Sequence, residues 1–419
     1  MVDVGLWNWE PGERVVSDVS GWADRFEWVE EFCVSPDGER IAAVVNKGDL
    51  QFTVCVNGEA WEGDYDRVWH PKYSPDGRLT ALATEMAEWT LVVEGEAWEG
   101  SYAYAWGTKF SENGQVIACA VQQDGMYGWA VDGKPWETMY EAATDFELSS
   151  DGKTTAAAVQ TVSFGQADIF TFQKGGYSCA VNGKAWDDNF VNIFHLSISP
   201  DGAHVAAEAR TSLYDYTIVL DGKPWGKSYP CVWKPVFNPS TGEVTAPVRI
   251  AGKWTMANEA GPLWQPFFNC WHAFYSQDGA HLAALVAPEY GRWTIAVDGK
   301  PWRSTFSSYV GEASFSSDGE LVACLGKDGD VWKIAVQGQI WPGKYDMAWK
   351  PVFSPGGAHV AAKVERGGKY TVVVDGNELP GGFDQCWEPA FSPDGRFLLI
   401  RAVEGGKYVR RVLPITDFK

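Results

Sequence analysis

The chain has 419 residues, 45% hydrophobic and 21% charged, with 55 acidic against 34 basic side chains and a net charge of −21. That much apolar material excludes a disordered chain. The acidity excludes a phosphate-backbone binder, which needs clustered Lys and Arg, and works against docking on anionic lipid.

Tryptophan is over-used, with 23 copies beside 45 glycines. One core could hardly place so many indoles, so they belong to something that recurs. Residues 1–10 include Asp3 and lack the basic and apolar runs of a secretory leader. No segment approaches the roughly 20 apolar residues of a membrane span. A cytoplasmic protein with its eight cysteines reduced is therefore expected.

From residue 35 onward one turn repeats. It reads Ser35-Pro36-Asp37-Gly38, Ser74-Pro75-Asp76-Gly77, Ser111-Glu112-Asn113-Gly114, Ser149-Ser150-Asp151-Gly152 and Ser199-Pro200-Asp201-Gly202. A degenerate copy, Asn238-Pro239-Ser240-Thr241-Gly242, is followed by Ser276-Gln277-Asp278-Gly279, Ser316-Ser317-Asp318-Gly319, Ser354-Pro355-Gly356-Gly357 and Ser392-Pro393-Asp394-Gly395. Asp37 to Asp394 spans 357 residues over nine intervals, a mean period of about 40, the length of one four-stranded propeller blade.

Each copy has the same parts. An alternating strand (Pro351 to Ser354) precedes the turn, and a small-residue strand (His359 to Val364) follows it. A β-branched strand (Tyr370 to Val374) then enters an Asp-Gly hairpin turn. A short fourth strand carries a Trp, as in Asp298-Gly299-Lys300-Pro301-Trp302. The fold class is all-β: a propeller of about ten four-stranded blades.

The last copy lacks a Gly-x-x-Trp strand, while Trp22 lies 13 residues before Ser35 just as Trp61 lies 13 before Ser74. Residues 1–34 are therefore expected to close one ring against 396–419; two smaller propellers are the alternative. The fourth copy is about ten residues longer than its neighbours, and 161–175 reads as an extended hairpin. In the sixth, Asn258-Glu259-Ala260-Gly261 replaces Asp-Gly.

Nineteen of the Trp occupy three repeat positions. Trp89, Trp254, Trp293 and Trp332 open the third strand. Trp61, Trp98, Trp136, Trp186, Trp225, Trp264, Trp302 and Trp341 follow the hairpin turn. Trp28, Trp69, Trp106, Trp233, Trp271, Trp349 and Trp387 precede or open the first strand. Such periodicity is what blade-to-blade packing requires, so the indoles read as structural.

Signals of chemistry are few. No Cys-x-x-Cys occurs, and Cys33, Cys55, Cys119, Cys179, Cys231, Cys270, Cys324 and Cys386 read as small buried hydrophobes. His204, His281 and His359 follow a Gly-Ala step, His70 and His272 follow a Trp, and His195 stands alone. Gly226-Lys227-Ser228 lacks the earlier glycine of a phosphate loop, and the Asp-Gly pairs lack calcium-loop spacing. No catalytic, cofactor or metal residue is assigned.

The Ser-Pro-Asp-Gly turn followed by a small-residue strand resembles the TolB-type, WD-like propeller repeat. An acidic chain of this size with Trp in every repeat is also similar to the tryptophan-rich D subunits of the Tmc transmembrane redox complexes of sulfate-reducing bacteria. That resemblance implies a non-catalytic accessory or scaffold subunit without a cofactor of its own. Its partners would be iron–sulfur and cytochrome subunits, and it would sit on the cytoplasmic side, peripheral to the inner membrane through them. Phe164, Phe170 and Phe172 in the long copy are the candidate partner-binding residues. The alternative is a stand-alone propeller that binds a carbohydrate or small molecule, or an enzyme, at its central mouth.

Overall fold

The first repeat shows how each copy folds in the computed structural model, which describes residues 4–165 and 168–418. Trp28–Val34, Ile41–Asn46, Phe52–Val56 and Glu59–Ala60 pair antiparallel in chain order. At the first turn Ser35 Oγ donates to the Asp37 carboxylate at 2.5 Å and accepts the Arg40 N–H at 2.9 Å. The second strand is buried on both faces, which its small apolar residues permit. In the third turn Asn57 takes φ 50°, and its amide oxygen accepts the Ile41 N–H at 2.9 Å. The hairpin residue thus caps the start of the second strand.

Nine more sheets repeat this order at residues 67–97, 104–135, 143–185, 192–224, 236–262, 269–301, 309–340, 347–378 and 385–414. The fold is a ten-bladed β-propeller, with 4% helix. The tenth blade takes its fourth strand from the other end of the chain, Gly12–Asp18 pairing with Lys407–Pro414 from Gly12↔Val412 to Asp18↔Lys407.

Trp22 itself is not in that strand. It is buried in the short 3-10 turn Ser20–Trp22 that follows, where it occupies the position Trp61 holds in the first blade. No helix among the described residues is long and apolar enough to cross a membrane.

By internal contacts the blades fall into two compact units, one holding blades 1, 2, 8, 9 and 10 and the other blades 3 to 7. In each, the core lies between successive blades. Ala42, Val44 and Val54 of blade 1 pack on Val68, Leu79, Ala81 and Ala83 of blade 2; Ala207 and Val219 of blade 5 pack on Ala156, Ala158 and Cys179 of blade 4.

In several repeats the Trp after the hairpin turn lies beneath the hairpin glycine of the next blade. A Cβ on Gly95, Gly183, Gly222 or Gly299 would come within 3.1–3.4 Å of Trp61, Trp136, Trp186 or Trp264, and one on Gly58 would lie 3.6 Å from Trp22. Only a residue without a side chain, at positive φ, lets the indole approach this closely. The first-turn glycine of blade 4 meets the preceding blade in the same way: a Cβ on Gly152 would sit 2.6 Å from Val116.

The insertion of blade 4 differs from the extended hairpin expected for 161–175. The strands it joins, Thr155–Gln160 and Tyr177–Val181, are of ordinary length, and Ile169–Lys174 is a short α-helix. Asp168 caps it, accepting the Thr171 N–H at 3.0 Å and the Thr171 hydroxyl at 2.5 Å, so the extra residues coil locally and do not lengthen the ladder. Gln166 and Ala167 lie outside the described residues.

Candidate functional site

Seven first strands carry a β-bulge, whose central residue is left-handed: Glu31, His70, Gly107, Asp145, His195, His272 and Glu312, with φ from 47° to 67°. His195 therefore does not stand alone. It shares the position of His70 and His272, an equivalence hidden because Phe194 replaces the preceding Trp. Neighbouring bulges are tied together where an acid precedes. Glu31 accepts the His70 N–H at 2.6 Å and Asp145 accepts the His195 N–H at 2.9 Å.

A polar cluster surrounds His195 in blades 3 to 6. Its Nδ1 lies 2.7 Å from the carboxylate of Glu208, which is only 5% exposed and stands where neighbouring blades have Ala158 and Pro247. The Glu208 hydrogen bond raises the His195 pKa above its ordinary value, with the charges of Glu208 and Asp145 adding to it. Nearby, Glu147 receives Lys109 at 2.6 Å and Lys234 at 3.0 Å. Burial pushes that carboxyl up, but the two ammonium groups outweigh it and hold it below the ordinary range.

Other titratable repeats serve the blades themselves. His204, His281 and His359 each place Nδ1 2.6–2.7 Å from the hairpin aspartate of their own blade, Asp221, Asp298 and Asp375. All eight cysteines are free thiols, raised by burial; those of Cys33, Cys119, Cys270 and Cys386 reach about 12. A thiol so hard to ionise is a packing residue. Among the described residues no group of three or more His, Cys, Asp and Glu is placed to hold a metal ion.

Exposed apolar side chains concentrate elsewhere, at the tips joining second and third strands. In one unit these are Leu50 and Met86; in the other, Phe170, Leu213, Tyr214, Ile250 and Tyr290. Of the three expected partner residues, only Phe170 faces solvent, at 75% exposure. Phe164 packs against Phe172 and Tyr177 with ring centroids 5.9 and 5.8 Å apart, and its ring fills the space over Gly176, where a Cβ would come within 2.2 Å. Phe164 and Phe172 thus anchor the insertion and Phe170 is its outward residue.

Two further features carry a signal in the sequence. An aromatic stands four residues after the Trp in Trp22/Phe26, Trp61/Tyr65, Trp98/Tyr102, Trp136/Tyr140, Trp186/Phe190, Trp225/Tyr229, Trp264/Phe268, Trp302/Phe306 and Trp341/Tyr345. Tyr65, Tyr140, Phe190, Tyr229 and Tyr345 bridge back to the start of their own third strand, and Tyr140 also donates to the Gly183 carbonyl of the next blade at 2.8 Å. The apolar tips were a second signal, since Met86 and Tyr290 stand in turns that need no apolar residue.

The sheets and their docking define a β-propeller. No protein-family model matches the chain, and no curated protein matches its sequence. Solved structures resemble it in architecture at low identity. A eukaryotic initiation factor is 14% identical, with 79% of this chain and 92% of that chain covered and a TM-score of 0.49. The β-propeller domain of Cps50 (Swd1) from Myceliophteria thermophila is 13% identical, covering 65% and 96%, with a TM-score of 0.30. TolB from Acinetobacter baumannii is 16% identical, covering 57% and 61%, with a TM-score of 0.30. These likenesses concern fold alone, and the blade number rests on the chain's own strand pairing.

Proposed function

We propose that the protein is a non-catalytic scaffold that holds protein partners on its second-to-third-strand tips, as an accessory subunit of a membrane-associated electron-transfer complex. The observation that carries the scaffold reading is the exposed apolar side chains at these tips: Leu50 and Met86 in one unit, and Phe170, Tyr214 and Tyr290 in the other, leave costly apolar surface in water. The histidines engaged by carboxylates of their own blades, and the raised thiols, support a non-catalytic role. The redox assignment rests on the resemblance in composition and tryptophan repeats to the Tmc D subunits. Under it the partners are iron–sulfur and cytochrome subunits and the chain lies on the cytoplasmic side.

The test is to tag the native protein, solubilise its host's membranes gently, and record the copurifying polypeptides with a visible spectrum. Haem and iron–sulfur bands with stoichiometric partners are expected. A colourless monomer would overturn the redox assignment, and a Phe170→Ser/Tyr214→Ser/Tyr290→Ser variant that keeps all its partners would move docking to other tips.

A further inference from the structure

We propose that the tips of blades 1 and 2 form a docking surface for a basic protein segment, whose apolar side chains cover Trp28, Leu50 and Met86 and whose cations face the carboxylates around them. This deepens the scaffold reading above and rests on it. The three side chains are 59%, 68% and 86% exposed, all within one unit.

A chain of contacts joins them. A Cβ on Gly48, in the blade 1 tip, would lie 3.4 Å from the Glu27 carboxylate beside Trp28. Lys47 of that tip reaches Asp64 in the connector to blade 2 at 2.7 Å. Two residues on, Asp66 accepts the Met86 N–H at 2.7 Å and so holds the blade 2 tip.

The blade 2 tip breaks three local rules at once. Met86 and Ala87 are both left-handed, with φ 51° and 66°, in a two-residue turn where other blades place a glycine, as in Asp124-Gly125 and Tyr290-Gly291. Glu85 and Glu88 stand directly opposite each other across the ladder, a like-charge pair that opposes the hairpin. Met86, the most exposed of the three side chains, sits between them. A partner that covers the methionine and sets a cation against the two glutamates satisfies what the isolated tip does not.

Charge decides the occupant. The segment from Asp24 to Glu99 carries 17 acidic and 6 basic residues, and at its tip end Glu27, Asp49, Asp64, Asp66, Glu85 and Glu88 stand against Lys47 and Arg67. Arg40, Lys47 and Arg78 are bound to Glu94, Asp64 and Asp76 of the same segment. Among the described residues no ion pair engages Glu27, Glu30, Asp49, Glu62 or Glu85. Such a surface repels a second copy of itself and an anionic membrane, and attracts a basic polypeptide.

The test uses the full chain in cells that naturally make it, with a photo-crosslinking phenylalanine analogue placed in turn at positions 50, 86, 170 and 290, and crosslinked peptides identified by mass spectrometry. Positions 50 and 86 are expected to capture a segment of net positive charge. Glu85→Lys/Glu88→Lys is expected to cut that yield at least tenfold while leaving the urea midpoint of the purified chain unchanged. Capture from 170 or 290 but not from 50 or 86 would overturn this surface and leave the scaffold reading standing. Silence at all four positions would overturn both. A captured segment without net positive charge, or a yield indifferent to the charge reversal, would overturn the assigned chemistry.

Discussion

Replacing Trp136 by alanine tests how one blade holds the next. The indole is 9% exposed, lies beneath the Gly183 hairpin of blade 4, and donates from Nε1 to Thr155 Oγ1 at 2.9 Å. Burying an indole removes about 150–250 Å² from water, roughly 4–6 kcal/mol at about 25 cal/mol/Å². Alanine recovers little of this and leaves a cavity, so the expected loss is about 3–5 kcal/mol. Phenylalanine keeps most of the contact and gives up one N–H bond, about 1 kcal/mol. Urea unfolding followed by far-ultraviolet circular dichroism measures both losses. Native-state hydrogen exchange should show protection lost first in Tyr177–Val181, the third strand of blade 4. A Trp136→Ala loss below about 1 kcal/mol, or a phenylalanine variant as damaged as the alanine one, would refute the docking account.

The His195–Glu208 pair predicts a pH dependence. Because the folded-state pKa of His195 is raised, its stabilising contribution is complete below the unfolded value and is lost as pH rises through the folded one. The stability difference between the parent and Glu208→Gln should therefore shrink as pH rises above the ordinary histidine value of 6.5, and a constant difference would dismiss the coupling. In the insertion, Phe164→Ala should cost about 2 kcal/mol in urea unfolding, whereas Phe170→Ser should stay within about 0.5 kcal/mol; equal effects would mean the two rings are misassigned. Gly152→Ala puts a Cβ at φ +77° and 2.6 Å from Val116, and should cost about 2–4 kcal/mol by the same assay. Ala87→Gly should raise stability by about 1 kcal/mol, since glycine relieves the left-handed backbone; a loss would show that the tip is unstrained.

The repeat, its period, the strand order and the splice between the chain's ends were all legible in the sequence, because each depends on local chemistry written ten times. Ser35 and Asp37 fold their own turn, and Asp375-Gly376 its own hairpin, whatever surrounds them. The missing fourth strand of the last copy and the surplus before the first identified each other by spacing alone.

Contacts between copies belonged to the tertiary structure. No local rule says that Trp136 rests under Gly183, that Glu208 finds His195, or that Phe164 turns inward to cover Gly176 while Phe170 turns out. The insertion reads as a hairpin in the sequence because only its extra length shows there, whereas the Asp168 cap that coils it into a helix is a feature of the folded segment. The bulges were invisible for a related reason: a left-handed Glu31 or His70 is held by the neighbouring strand and the next blade, not by its own preference. Sequence alone determined what each blade is, because a blade's turns and strands are set within some 40 residues. Only the tertiary structure decided which surfaces remain for a partner, because exposure is what is left after the blades have packed on one another.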